Sequence, residues 1–360
     1  MKAFGLKKSV SLGLAVAGLV CATKLPAAVE VFVVGGNASS SVLFDRATNI
    51  LSGGITAIYG GSSSTVRTYV GSSTNAALAG YGTITLDFNL LGAVGGLNDL
   101  VNGTTETNAL GTALQVTLVD SATSPEAVGI DSVAANFSIL QTYVVPLVFV
   151  KNTNSTDTAP ITNLTQRQAQ SLATATLPAT FFGGTNTNSI YFVGRNNNAA
   201  VRTEFDANIL NTSTIRTFNT NSAGLPVLDT SSDPGQASGS AVVGVVTILT
   251  NAIGTVAVQN VKKPLGILNY EGVAYTPSNV QNGSYPLWYY EHYYYITPPN
   301  NGSPGAAQLA VINALYQSVT NAAFQVSTVF TNNFIPVASL RVKRSQLGGD
   351  GGPITPLANY

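Results

Sequence analysis

The chain has 360 residues, of which 45% are hydrophobic and only 9% are charged. Sixteen basic and sixteen acidic residues cancel to a formal net charge of zero. No overall field therefore draws nucleic acid or anionic lipid to the chain, and we expect no nucleic-acid partner. The length is sufficient for two domains, each with its own core.

The first 28 residues have the pattern of an export signal: a basic start, an apolar run over residues 10–20, and small residues after it. The run is too short for a permanent membrane anchor. Valine, not a small residue, precedes Cys21, so we expect no lipid at this cysteine. Signal cleavage would leave a mature chain without a thiol or disulfide. The residues that carry this pattern are Lys2, Lys7, Lys8, Ala22, Ala27 and Ala28.

The next part of the chain alternates apolar strands with small-residue turns and helices. Residues 29–34 are typical of a buried parallel strand. A helix with apolar positions from 42 to 51 follows, and Ser39 or Ser40 is suited to its N-cap. Strands are predicted over residues 64–70, 83–89 and 115–119, and a helix is predicted after the turn at 91–96.

The alternation continues to the C-terminus, which predicts an α/β protein. The predicted strands are residues 144–150, 190–193, 254–258 and 289–296. The predicted helices are residues 164–172, 200–210, 241–250 and 306–319. A loop is expected over residues 219–239, where Gly and Pro interrupt polar residues, and a loose tail over residues 350–360.

Three turns, at residues 35–41, 91–96 and 195–201, are rich in small residues. Each lies between the carboxyl end of a strand and a helix. Open α/β sheets bind ligands at such ends, where helix N-termini present free backbone N–H groups to anions. The third turn also carries Arg195, whose guanidinium suits carboxylate or phosphate. Asp120 follows a fourth strand and either caps a turn or accepts a hydrogen bond from a protonated oxyanion.

The residues for most enzyme chemistry are missing. His292 is the only histidine and the mature chain has no cysteine, which excludes the usual zinc sites. No G-x-S-x-G elbow, P-loop or dinucleotide fingerprint is present. We therefore expect no enzyme, no metal and no cofactor. The aromatic run at residues 285–295 favours a strand with large side chains packed on both faces, with a sugar-binding surface as the alternative.

With these turns in order, the chain resembles the phosphate-binding family of periplasmic solute-binding proteins, the substrate receptors of phosphate ABC importers. VVGGNAS (33–39) and GAVGG (92–96) are similar to the first two anion loops, and Asp120 to the aspartate of the third. VVPLVFV (144–150) is similar to the strand that crosses into the second domain. TNLT (162–165) matches the helix start that follows it, and GRNNNAAV (194–201) matches the arginine loop.

The resemblance implies a divergent member with the type 2 periplasmic binding protein fold: two domains, each a mixed sheet flanked by helices, with the ligand cleft between them. It places domain 1 at residues 29–145 and 259–360 and domain 2 at residues 146–258. Phosphate or a related oxyanion is the implied ligand, an ABC importer in the membrane the implied partner, and a periplasmic or secreted monomer the expected state. The implied ligand-binding residues are Ala38, Ser39, Ser40, Ala93, Val94, Asp120, Arg195, Asn197, Ala199, Ala200 and Val201.

The chain departs from the family where the anion would be held. The family's arginine loop continues with an acidic residue and Ser-Gly-Thr, whereas here Asn197 and Ala199-Ala200-Val201 stand there. The second loop offers Ala93 and Val94 where the family has serine. Only backbone amides and the side chains of Ser39, Asp120 and Arg195 remain for binding. A second hypothesis therefore stays open: a cell-surface or structural protein that keeps the fold without binding an anion.

Overall fold

The structure is a computed structural model that describes residues 28–62, 64–210, 214–344 and 354–357. The export signal expected over residues 1–28 lies outside the described residues except for Ala28. The same holds for the expected C-terminal tail, apart from residues 354–357. Among the described residues, no helix combines the length and apolar character needed to cross a membrane.

Nine α-helices lie within the described part of the chain, and most follow a strand directly. In chain order they are α1 Ser40–Ile50, α2 Ala93–Asn102, α3 Gln166–Thr174, α4 Ala200–Asn208, α5 Gly239–Ile248, α6 Pro277–Gln281, α7 Ala306–Thr320, α8 Ala322–Gln325 and α9 Thr328–Thr331. Ser39 is the N-cap of α1, as the sequence predicts, but its side chain makes no capping hydrogen bond.

The strands confirm the predicted α/β class. They are β1 Val29–Gly35, β2 Gly54–Tyr59, β3 Val66–Ser72, β4 Ile84–Asn89, β5 Thr105–Thr107, β6 Ala113–Gln115, β7 Leu118–Ser121, β8 Phe137–Asn152, β9 Asn163–Leu164, β10 Leu177–Pro178, β11 Ser189–Val193, β12 Phe218–Thr220, β13 Pro226–Leu228, β14 Ala252–Ala257, β15 Leu265–Ile267, β16 Asn269–Tyr270, β17 Trp288–Ile296, β18 Ile335–Pro336, β19 Val342–Arg344 and β20 Ile354–Pro356.

Twelve strands form one mixed sheet in the order β10-β11-β14-β8-β17-β7-β1-β4-β3-β2, with β15 and β18 also paired to β8. The pairs β1–β4, β1–β7 and β11–β14 are parallel. Their carboxyl ends therefore lie together within each half of the sheet, which is the arrangement that open α/β sheets use for ligands.

The 16-residue strand β8 joins the two halves of the sheet. Its first ten residues pair with β17, whereas residues 147–151 pair with β14. The predicted strand at residues 144–150 is the buried centre of β8. The domain boundaries at residues 145 and 258 remain a prediction, because one continuous sheet includes strands from both sides of them.

Helices cover both faces of the first half of the sheet. A small cluster of buried apolar residues lies beneath α2 and includes Phe32, Val34 and Leu97. Phe44 of α1 belongs to the larger cluster, where its ring meets Phe88 of β4 edge to face. From Val31 to Val34 the side chains of β1 point alternately into these two clusters, which explains why this part of the strand is apolar on both faces, whereas Glu30 is exposed.

Three antiparallel pairs, β2–β3, β5–β6 and β12–β13, were not expected as hairpins from the sequence. The edge strand β2 is exposed or half-buried along its length, so it lacks the alternation that marks a half-buried strand. Strands β12 and β13 form a hairpin over residues 218–228, so the loop predicted over residues 219–239 is wrong in its first part. The aromatic strand β17 is buried on both faces, as packing predicts, and therefore offers no exposed platform for a sugar ring.

Candidate functional site

The carboxyl ends of three parallel strands bring the predicted turns of the first half to one edge of the sheet. Gly35 of β1 lies opposite Asp120 of β7, and Val34 lies opposite Asn89 of β4. A side chain at position 35 would collide with Asp120, since a Cβ there would lie 2.5 Å from its carbonyl oxygen. Glycine at position 35 thus lets the turn before α1 pack directly against Asp120.

The turn after β11 approaches this edge from the second half, so that a small cleft separates the two halves. The cleft has a volume of about 20 Å³, enough for roughly one water molecule. Its lining consists of Gly36, Asn37, Ala38, Leu91, Gly92, Ala93, Arg195, Asn198, Ala199, Ala200, Val201, Tyr289 and Glu291.

Six of the eleven residues predicted for ligand binding line this cleft: Ala38, Ala93, Arg195, Ala199, Ala200 and Val201. Ser39 and Asp120 are fully buried and do not line it. The other three, Ser40, Val94 and Asn197, also lie outside the lining. Asn197 is exposed, and its backbone N–H donates to Oδ1 of Asp233 at 2.7 Å.

The Arg195 side chain is held by backbone carbonyls of its own half. Its Nε donates to the Gln236 carbonyl at 2.9 Å, and its Nη2 donates to the Ala237 carbonyl at 3.0 Å. Burial lowers the pKa of Arg195 to about 10, so the guanidinium stays charged at neutral pH. These two bonds fix the guanidinium at the cleft wall, and within the described residues its Nη1 makes no hydrogen bond.

Asn198 extends from the second half of the molecule into the glycine turn of the first. Its Oδ1 accepts a hydrogen bond of 2.8 Å from the Gly95 N–H, in the first turn of α2. A Cβ at Gly92 would lie 2.0 Å from the Asn198 Nδ2. The first-turn N–H groups of a helix have no partner within it. The amide oxygen of Asn198 therefore satisfies one of the N–H groups that helix N-termini can offer to anions.

Asp120 lies beneath the first turn and is wholly inaccessible to water. Burial raises the pKa of its carboxyl to about 7, and the neighbouring Ser39 hydroxyl opposes this rise. Neither carboxyl oxygen, nor the Ser39 Oγ, makes a hydrogen bond of normal geometry to a described residue. Asp120 is thus a buried acid that is readily protonated near neutral pH.

The base of the cleft carries a second acid, Glu291, between Tyr289 and Tyr293 in β17. Glu291 is only 2% exposed. Burial, and then the charge of Asp120, raise its pKa well above the usual range. Tyr289 lines the cleft beside it, and its pKa is also raised by burial. Within the described residues, no group of three or more His, Cys, Asp or Glu side chains is arranged to hold a metal ion.

Sequence reasoning missed Asn198 and Glu291 as residues of the cleft. Nothing distinguishes Asn198 from the two asparagines before it until the turn is folded. For Glu291 a signal exists: an acid in the middle of an otherwise apolar strand must be buried, and a buried acid is an informative exception.

Residues 47–311, which are well over half of the chain, match the PBP superfamily domain. The chain belongs to the PBP superfamily. No curated protein matches the chain in sequence.

Solved structures with the same fold include phosphate receptors. The fold resembles a protein from Clostridium perfringens described as a phosphate ABC transporter substrate-binding protein, with phosphate bound (TM-score 0.58, 14% identity, 86% of this chain and 99% of that one). It also resembles an ABC-type phosphate transport receptor from Vibrio cholerae (TM-score 0.51, 14% identity, 85% and 99%). The periplasmic phosphate-binding protein PfluDING, bound with phosphate, is similar as well (TM-score 0.54, 11% identity, 85% and 90%).

These likenesses establish the fold of this PBP-superfamily protein. It is a type 2 periplasmic binding protein fold, as the sequence predicted, and the chain is a divergent member whose fold neighbours are binding and transport receptors. At such low identity the ligand of the neighbours does not transfer with the fold.

Proposed function

We propose that the protein is an exported solute-binding protein that holds phosphate or a related small oxyanion in the cleft between its halves. We further propose that it acts in the periplasm or outside the cell, without catalytic activity, as the receptor of an ABC importer. The observation that carries the proposal is the meeting of three strand-to-helix turns and Arg195 at one cleft.

The chemistry of the cleft supports an anion of small size. The N-termini of α1, α2 and α4 lie at the three turns and contribute backbone N–H groups and positive helix ends. Among the described residues of the lining, Arg195 is the only basic side chain, and two carbonyls already hold it in place. Preorganised donors of this kind lose little entropy on binding. Because the cleft has a volume of only about 20 Å³, entry of the ligand requires the halves to separate by a hinge motion.

Thermal unfolding in the presence of phosphate, arsenate, sulfate and neutral sugars tests the proposal. A ligand present at a hundred times its dissociation constant adds about 2.7 kcal/mol to the free energy of unfolding. We expect phosphate or arsenate to raise the melting temperature of the wild type but not of Arg195→Ala. Arg167→Ala removes an exposed positive charge from the same half and is the matched control. No shift with any oxyanion at millimolar concentration contradicts the proposal.

One observation favours the second candidate, a surface or structural protein that no longer binds an anion. The carboxamide of Asn198 fills the glycine turn in which the first-turn N–H groups of α2 would receive an anion. If this contact is permanent, the wild type shows no shift with any oxyanion. A shift that appears in Asn198→Ala alone would identify Asn198 as the residue that closed the site.

A further inference from the structure

A second cavity opens in the first half of the molecule, at the end of the sheet opposite the cleft. It has a volume of about 560 Å³ and is bounded by the amino end of β1, by β6 and by the residues that lead into α7. Glu30 is the one charged residue among the described residues of its lining. Glu30 precedes Gly35 by five residues, which corresponds to about 16 Å along the strand. The cavity is therefore separate from the anion cleft.

A buried carboxyl group lies behind Glu30. In the parallel pair of β1 and β4, Asp87 is opposite Phe32, so Asp87 and Glu30 project from the same face of the sheet. Asp87 is fully buried, and its Oδ1 accepts hydrogen bonds from the Thr68 hydroxyl at 2.5 Å and from the Asn108 Nδ2 at 3.0 Å. Its Oδ2 is also buried, but no donor among the described residues reaches it. One oxygen of a fully buried carboxyl group thus lacks a partner.

The two carboxyl groups have no positive charge to offset them. Burial, and then the charge of Asp87, raise the pKa of Glu30, and burial also raises the pKa of Asp87. Neither acid takes part in an ion pair within the described residues. No Lys, Arg or His is among the described residues that line the cavity. Two facing carboxyl groups in such a place need either a shared proton or a cation.

Neutral oxygen atoms lie on the walls of the cavity around Glu30. The Gln115 carboxamide is exposed and makes no hydrogen bond within the described part of the chain, and Ser303 contributes a hydroxyl. Calcium binds roughly six to eight oxygen atoms, which carboxylates, carboxamides, backbone carbonyls and water all supply. A calcium site therefore does not require a third acidic side chain.

We propose that Glu30 and Asp87 bind a calcium ion at the inner wall of this cavity, with Gln115 and water completing its ligands. The ion takes the place of the proton that the two carboxyl groups otherwise share, and it joins β1 to β4 near their amino ends. Because only two carboxylates contribute, we expect a dissociation constant of about 0.1–1 mM, as in extracellular calcium modules. This inference does not depend on the proposed function, because no residue of the anion cleft takes part in it.

Calorimetric titration of the full chain with calcium chloride near neutral pH, after treatment with a chelator, is the direct measurement. We expect one ion to bind, and the melting temperature to rise with the calcium concentration because the ion binds the folded state. No heat of binding and no rise in melting temperature up to about 10 mM calcium, ten times the weakest expected dissociation constant, overturns the inference.

Two isosteric variants test the two ligands. In E30Q and in D87N the new amide can donate a hydrogen bond to the remaining carboxylate, so both should fold without the ion, and each should bind calcium at least about tenfold more weakly. E126Q removes an exposed carboxylate from the same half and is the matched control, with the calcium affinity of the wild type. Unchanged affinity in E30Q overturns the inference, and so does an equal loss in E126Q. If D87N does not fold, E30Q decides alone, because Glu30 is exposed.

Discussion

The Oδ1 atom of Asn198 lies 2.8 Å from the Gly95 backbone nitrogen and accepts its hydrogen bond across the cleft. One half of the protein thus supplies the N-terminal cap for a helix of the other, since Gly92, the N-cap of α2, has no side chain for this purpose. The contact joins the halves and occupies a first-turn N–H group of α2 at the same time.

Replacing Asn198 by alanine should therefore release the Gly95 N–H for a ligand. A hydrogen bond to a charged group contributes about 1.5–3 kcal/mol, so we expect the phosphate affinity to rise about tenfold or more, measured by calorimetry. Asn197→Ala is the matched control, because Asn197 is the exposed neighbour and does not line the cleft. Equal effects of the two substitutions would contradict this role of Asn198.

The Gly92→Ala substitution tests the same contact from the opposite side. The backbone of Gly92 is extended, with a φ of −173°, so alanine causes no strain in the chain itself. Its Cβ, however, would lie 2.0 Å from the Asn198 Nδ2 and displace the side chain. We expect Gly92→Ala to lower the free energy of unfolding by about 1–3 kcal/mol as other overpacked sites do, and to cost little in the Asn198→Ala background.

A double-mutant cycle of Gly92→Ala and Asn198→Ala, measured by urea unfolding, isolates this coupling. If the two free-energy changes simply add, the side chain of Asn198 does not occupy the turn.

The strands and turns that form the cleft could be predicted from the sequence. The contacts of the side chains that fill the cleft could not. The β1 and β11 strands and the turns after them follow from apolar runs that end in small residues, because burial imposes that pattern locally. The partners of Arg195, the carbonyls of Gln236 and Ala237, lie about forty residues further along the chain. No local pattern specifies such a contact, and the same is true of Asn198 and the α2 turn.

Arg195 should support the fold as well as the ligand. Arg195→Ala removes two charge-assisted bonds and leaves the Gln236 and Ala237 carbonyls without these donors. We expect the free energy of unfolding to fall by about 3 kcal/mol in calorimetric melting without ligand. Arg195→Lys keeps the positive charge but not the forked guanidinium. Its free energy of unfolding should lie between those of the wild type and Arg195→Ala. Arg167→Ala should stay within about 0.5 kcal/mol of the wild type.

Asp120 should make the protein less stable as the pH rises. Its pKa is about 7 in the folded chain against 3.8 for the ordinary carboxyl, so the folded state binds more protons between these values. The free energy of unfolding therefore falls as the pH rises through this window, by about 4 kcal/mol in total. Below pH 3.8 this contribution vanishes, because both states are protonated.

Asp120→Asn should remove that dependence, and the difference in stability between variant and wild type at each pH isolates it. The comparison is needed because His292 acts in the opposite direction: burial lowers its pKa to about 3, so it makes the folded state less stable as the pH falls below 6.5. Urea unfolding at pH 5 and pH 8 provides the measurement. If the stability difference is the same at both pH values, Asp120 titrates at an ordinary pKa, and the base of the cleft is wetter than its burial indicates.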